Sequence, residues 1–259
     1  MIKEGLGLNL HSIRNYLENE EKFTGVLATL KEMGYSYVQF SGAPFDAERI
    51  KRVSEASGLP FVLTHVPMDR ILNDTDALME EHALFGCKNI GLGMMPKEAL
   101  ADENKCRETI AALEKAAAYM TEKGYKLFYH HHHFEFMRCS DGRTIFDMLV
   151  EDAPHVNFTL DTYWLQYGGV DILSTIERVK GRISCVHLKD YHIIAKLGEK
   201  ISFEPTFAPC GDGTIDFPRV VEAARAAGAE YFLVEQDNAA KMEDPMEQVC
   251  RSITYLKTI

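Results

Sequence analysis

A chain of 259 residues, 46% hydrophobic and 26% charged, holds enough apolar material for a large buried core, which excludes wholesale disorder and any need for disulfide stapling. Its 28 Lys+Arg against 39 Asp+Glu leave a formal charge of -11, the wrong sign for a protein that must neutralise many phosphates, so extended nucleic-acid contact is disfavoured. The six cysteines show neither a Cys-x-x-Cys pair nor a disulfide-framework spacing, no run approaches the about 18 apolar residues of a membrane span, and residues 1–5 lack the apolar stretch of a secretory leader. The expectation is a cytoplasmic protein working away from membranes and nucleic acid.

In chain order, short apolar or β-branched runs alternate with longer stretches of helical spacing. A strand at residues 6–11 precedes a helix at 23–33, and a strand at 35–40 precedes a helix at 46–57. Strands at 61–66 and 89–94 precede helices at 74–85 and 103–123. Gly34, Gly58, Gly86 and Gly124 stand where these helices should stop. The second half repeats the pattern: strands at 126–132, 156–164, 183–189 and 231–236, with helices at 144–151, 171–180, 217–227 and 245–257.

Eight such units predict parallel strands joined by right-handed crossovers and closed into a (β/α)8 TIM barrel, a single domain over residues 1–259. An open doubly wound sheet is the alternative. However, Gly5-Leu6-Gly7, Gly91-Leu92-Gly93 and Gly211-Asp212-Gly213 all lack the third glycine of a dinucleotide-binding turn. The longest excursion, residues 191–216, follows the seventh strand and reads as an active-site loop.

In a barrel of this kind the working groups sit at the C-terminal strand ends. Four neighbouring strands end in His130-His131-His132-His133-Phe134-Glu135, Leu160-Asp161-Thr162-Tyr163-Trp164, His187-Leu188-Lys189-Asp190 and Val234-Glu235-Gln236-Asp237. Alternation puts Asp161 on the face of Thr159, His187 on that of Cys185, and Glu235 on that of Leu233. Glu135, Asp161 and Glu235 would then bring three negative charges together, and with His187 beside them the simplest compensation is a divalent cation. Three carboxylates and one imidazole suit Mn2+, Mg2+ or Co2+ better than a closed structural zinc site. Glu135, Asp161 and His187 recur at intervals of 26 residues, about one strand-helix unit.

Any one of these acids alone would more readily be a loop cap or salt-bridge partner; four on adjacent strands reverse that reading. His130 and His132 share one face of their strand, His131 and His133 the other. His65 reads either as a substrate-facing group or as a hydrogen-bonded core histidine, and Trp164 as a wall residue or an apolar surface for a sugar ring.

At these four segments the sequence resembles the sugar phosphate isomerase/epimerase family, the xylose-isomerase-like barrels. The resemblance rests on Tyr129-His130-His131-His132 with Phe134-Glu135-Phe136, Leu160-Asp161-Thr162-Tyr163-Trp164, Gly181-Arg182-Ile183 with His187-Leu188-Lys189-Asp190, and Val234-Glu235-Gln236-Asp237. It covers essentially the whole chain, with His131 standing where the family commonly has Asn.

The resemblance implies that Glu135, Asp161, His187 and Glu235 hold a divalent metal, Mn2+ first among Mg2+, Co2+ and Zn2+. It also implies that Glu135 and Glu235 act as acid and base in α-proton abstraction from a ketose or keto-sugar through a metal-stabilised enediolate. His65, His130, His132, Trp164 and Lys189 are the expected substrate contacts. Isomerisation or epimerisation is the expected outcome, with dehydration or lyase chemistry on the same site as the alternative. A metal-dependent abasic-site nuclease and a non-catalytic sugar-binding module are the other readings. Self-association is implied only by the family.

Overall fold

The computed structural model describes residue 2 and residues 5–259; Met1, Lys3 and Glu4, in the segment read for a leader, lie outside the described residues. The described residues form ten strands, in chain order: β1 (Gly7–Asn9), β2 (Tyr37–Phe40), β3 (Phe61–His65), β4 (Asn89–Leu92), β5 (Lys126–His130), β6 (Asn157–Asp161), β7 (Cys185–Leu188), β8 (Asp190–Lys196), β9 (Ser202–Ala208) and β10 (Tyr231–Val234). All except β8 and β9 pair in parallel into a closed barrel in which β10 joins β7 to β1. The result is the expected single-domain TIM barrel. Among the described residues no helix is long and apolar enough to cross a membrane.

Local chemistry explains most boundaries. The helix Glu20–Met33 starts earlier than its apolar spacing implies because the Asn19 side chain accepts the Lys22 N–H. It stops at Gly34, whose φ of +99° is open to glycine at little cost, and Gly58, Gly86 and Gly124 likewise have positive φ.

Several expected strands end sooner, 89–94 at Leu92 and 231–236 at Val234 among them, and three of these corrections shape the site. Residues 6–11 are strand only to Asn9, after which Leu10–Tyr16 turn into 3-10 helix. Residues 126–132 are strand only to His130. Residues 156–164 stop at Asp161, whose carboxylate accepts the Trp164 N–H at 3.0 Å and so caps a helix, Thr162–Tyr167. Capping outweighs the β-preference of Tyr163 and Trp164. The excursion after the seventh strand, read as an active-site loop, contains a structured antiparallel hairpin, β8 against β9.

Side-chain alternation divides the barrel interior into two layers. Tyr37, Leu63, Phe128, Cys185 and Leu233 pack together as a buried apolar layer. Two residues further along the same strands stand Gln39, His65, His130, His187 and Glu235. The apolar layer closes the barrel floor, leaving the polar one at its mouth.

Candidate metal centre

The inward ends of β5, β6 and β7 and the residue after β10 bring His130, Asp161, His187 and Glu235 together, with one ligand atom from each within 4.8 Å of the others. All four side chains are buried. Asp161 pairs with His187 in the β6–β7 register, and Leu233 with His187 in that of β10 and β7, so strand pairing itself aims the groups at one point.

His130 Nδ1 lies 3.1 Å from the Gly93 carbonyl and its Nε2 3.2 Å from Asp161 Oδ2; both partners only accept, so a neutral ring donates to one of them and turns a lone pair to the other. His187 Nδ1 approaches Glu235 Oε2 to 2.9 Å. Neither atom makes an aligned hydrogen bond there, although both are buried. Glu235 Oε1 accepts from Asn9 Nδ2 at 2.8 Å, and the Asn9 carbonyl oxygen accepts from Ser41 Oγ. Two imidazole nitrogens and two carboxylates thus converge with their other atoms already tied. That donor set fits a divalent cation.

The Lys189 ammonium, 1% exposed, lies 2.8 Å from Asp161 Oδ2, 3.0 Å from Glu235 Oε2 and 3.0 Å from Asp237 Oδ1. Burial opposes its charge, but the three carboxylates prevail and hold its pKa well above the usual lysine value. Burial likewise opposes ionisation of Asp161 and Glu235, and is overcome by Lys189 and the neighbouring imidazoles, so both titrate well below the ordinary carboxylate range.

Glu135 is not brought to the cluster. The chain turns through a 3-10 turn, Phe134–Phe136, and buries the Glu135 carboxylate where it accepts from Tyr129 OH at 2.6 Å and the His132 N–H at 2.8 Å. Burial, only partly offset by those two bonds, pushes it up to about 7. Glu135 is expected from its place after the fifth strand and from the resemblance, but it is His130, sharing the inward parity of Phe128, that stands with Asp161, His187 and Glu235. Parity follows the pleat, whereas the 26-residue interval depends on helix and loop lengths.

A mouth cavity of about 330 Å³ is lined by His65, His130, His132, Lys189 and Glu235 among the expected residues, together with His11, Ser41 and Asp237. Trp164 flanks it: Lys189 Nζ sits 5.5 Å over its ring, and His133 stacks on it. His132 Nδ1 and Trp164 Nε1 are buried without a hydrogen-bond partner. Burial, followed by the charges of His130 and Lys189, lowers His132 to about 2, leaving it neutral. His131 faces outward and accepts the Asp161 N–H at 3.1 Å, so it positions the backbone at the cluster.

Sequence reading missed Asn9, Gln39, His11 and Asp237. Gln39 carries the clearest signal, as the one polar residue of Tyr37-Val38-Gln39-Phe40. Its Oε1 lies 2.6 Å from His187 Nε2 and its Nε2 3.0 Å from His65 Nε2.

Residues 27–259 match the model of the family described as xylose isomerase-like TIM barrel. Inosose dehydratase from Geobacillus thermodenitrificans is 31% identical over 175 residues, covering 63% of this chain and 58% of the relative. Across the inosose dehydratases considered, the matched region spans 51% to 59% of their length. A sugar phosphate isomerase/epimerase structure from Parabacteroides distasonis superposes with a TM-score of 0.79 at 20% identity, covering 97% of this chain and 93% of the other. A xylose isomerase-like TIM barrel protein from Mycobacterium smegmatis in complex with magnesium superposes with a TM-score of 0.71 at 14% identity, covering 98% and 95%. At such identities both structures speak to the fold alone.

Proposed function

Since the chain belongs to the xylose isomerase-like TIM barrel family, we propose that it is a divalent-metal-dependent enzyme that removes a proton α to the carbonyl of a ketone-bearing sugar or cyclitol. His130, Asp161, His187 and Glu235 would hold the cation, which when bound supplies Lewis-acid polarisation of the substrate carbonyl. Mn2+ is the first candidate. Glu235, kept ionised and anchored through Asn9, accepts the α-proton. Lys189, kept protonated, donates to a substrate oxygen. His65, His132 and Trp164 present further polar and aromatic surface to the ring.

The observation that carries the reading is the buried convergence of two imidazoles and two carboxylates at the barrel mouth. Of the two glutamates expected there, only Glu235 reaches the cluster, so the Glu135 and Glu235 pair of bases on opposite substrate faces that epimerisation would use is not assembled. We therefore place dehydration first: the α-proton passes to Glu235, the β C–O bond breaks, and the departing hydroxyl leaves as water with a proton from Lys189. The dehydratase names of the curated relatives support this order, and epimerisation of a keto-sugar is the second reading. Among the described residues lining the cavity Lys189 is the one lysine or arginine, and it is already tied to three carboxylates, which favours a substrate without phosphate.

The test is turnover of a panel of keto-sugars and keto-inositols in D2O with Mn2+, read by NMR for deuterium at the α-carbon and for an unsaturated product. Wild type should show Mn2+-dependent exchange with loss of water, and Glu235→Gln should be slower by about 10²–10⁴-fold. Exchange with inverted configuration and no unsaturated product would select epimerisation. Binding without exchange across the panel would select the sugar-binding module, and undiminished exchange in Glu235→Gln would remove that glutamate as base.

A further inference from the structure

Gln39 is fully buried at the mouth end of β2, beside a register shift against β3 that falls between Val38 and Gln39. Bulges of this kind re-aim a side chain, and here the amide points between two histidines from distant strands. An amide oxygen only accepts and an amide nitrogen only donates. Oε1 at 2.6 Å from His187 Nε2 therefore requires a proton on that nitrogen, and Nε2 at 3.0 Å from His65 Nε2 requires a lone pair on that one.

We propose that Gln39 is a positioning residue that imposes opposite tautomers on His187 and His65. In its neutral form His187 is thereby left with a bare Nδ1 toward Asp161 and Glu235, and His65 with its proton on Nδ1. With the amide reversed, His187 would carry its proton on Nδ1, 2.9 Å from Glu235 Oε2, and would present a donor where a cation needs a lone pair. The two rings are coupled because one planar group serves both. His187 becomes competent to ligate, while His65, lining the same cavity, becomes a fixed hydrogen-bond donor rather than an acceptor.

This inference rests on reading the cluster as a cation site, and its test separates the two. Side-chain 15N spectra of the metal-free wild type, at a pH alkaline enough to leave the rings neutral, should show Nε2–H on His187 and Nδ1–H on His65. The reverse pair would overturn the proposal whether or not the protein binds metal. Mn2+ titrations followed by EPR supply the second arm. Gln39→Leu should weaken Mn2+ binding about 10–100-fold and leave His187 a mixture of tautomers. Gln39→Glu, whose carboxylate can accept from both rings, should keep Mn2+ affinity within about threefold while switching His65 to Nε2–H. Unchanged tautomers and unchanged Mn2+ affinity in Gln39→Leu would sink the idea. No Mn2+ binding by the wild type would remove the cation site and leave the tautomer spectra to decide on Gln39.

Discussion

Within 3.0 Å of the Lys189 ammonium lie carboxylate oxygens of Asp161, Glu235 and Asp237, and the lysine side chain is 1% exposed. In the metal-free protein this one ammonium lies within hydrogen-bond reach of all three. Lys189→Met keeps most of the volume and removes the charge, so it should cost the metal-free protein about 3–5 kcal/mol, the usual penalty for stranding buried charge. Mn2+ should restore more stability to this variant than it adds to the wild type, because a second cation then meets less repulsion. Thermal unfolding with and without Mn2+ measures both; equal losses in the two conditions would mean that Lys189 does not share the carboxylates with the ion. Asp161 was legible as a strand-end acid. Its second task, capping Thr162–Tyr167 through the Trp164 N–H, was not, because a cap is recognised only once the strand is known to stop.

At the scale of elements, the segment from Asp190 to Asp216 shows how a structured hairpin can lie within what reads as one long active-site loop. The Asp190 carboxylate is buried and accepts from the backbone N–H groups of Tyr191, Gly211, Gly213 and Ile215 at 2.8, 2.8, 2.9 and 3.2 Å. It pins both ends of the hairpin to the barrel rim. A Cβ on Gly213 would stand 2.3 Å from Asp190 Oδ1, so the backbone comes that close only with glycine there. Asp190→Asn exchanges an acceptor oxygen for a donor NH2 that faces N–H groups, and should lower stability by about 2–3 kcal/mol. Limited proteolysis at 197–201 should quicken in parallel; an unchanged cleavage rate would mean that the hairpin is held by β8–β9 pairing alone.

For the whole molecule, stability against acid should carry the mark of His82, a buried ring that does not line the mouth cavity. Its Nδ1 donates to the Leu78 carbonyl at 2.7 Å and its Nε2 accepts from Thr64 Oγ1 at 2.8 Å, so both nitrogens are satisfied in the neutral form. Burial lowers its pKa from 6.5 to about 4. Between those values the unfolded chain binds more protons than the folded one, and stability therefore rises with pH across that window and is lost as pH falls from 6.5 toward 4. The loss amounts to about 3 kcal/mol from this ring. Urea unfolding midpoints from pH 7 to 4 should fall less steeply in His82→Gln than in the wild type; parallel slopes would show that the ring titrates normally.

The sequence by itself determined the eightfold alternation, the glycine stops and the identity of the strands that deliver acids and imidazoles. These features depend on neighbours within one or two turns, and hydrophobic period and cap chemistry are local. Only the tertiary structure decided that β5 ends at His130 and seats that ring in place of Glu135, that Gln39 is aimed by a register shift, and that Lys189 lies among three carboxylates. Where a strand stops and which side chain turns inward are set by pairing with strands tens to hundreds of residues away. The closure of β10 on β1, which joins Asn9 to Glu235, cannot be seen from either end of the chain alone.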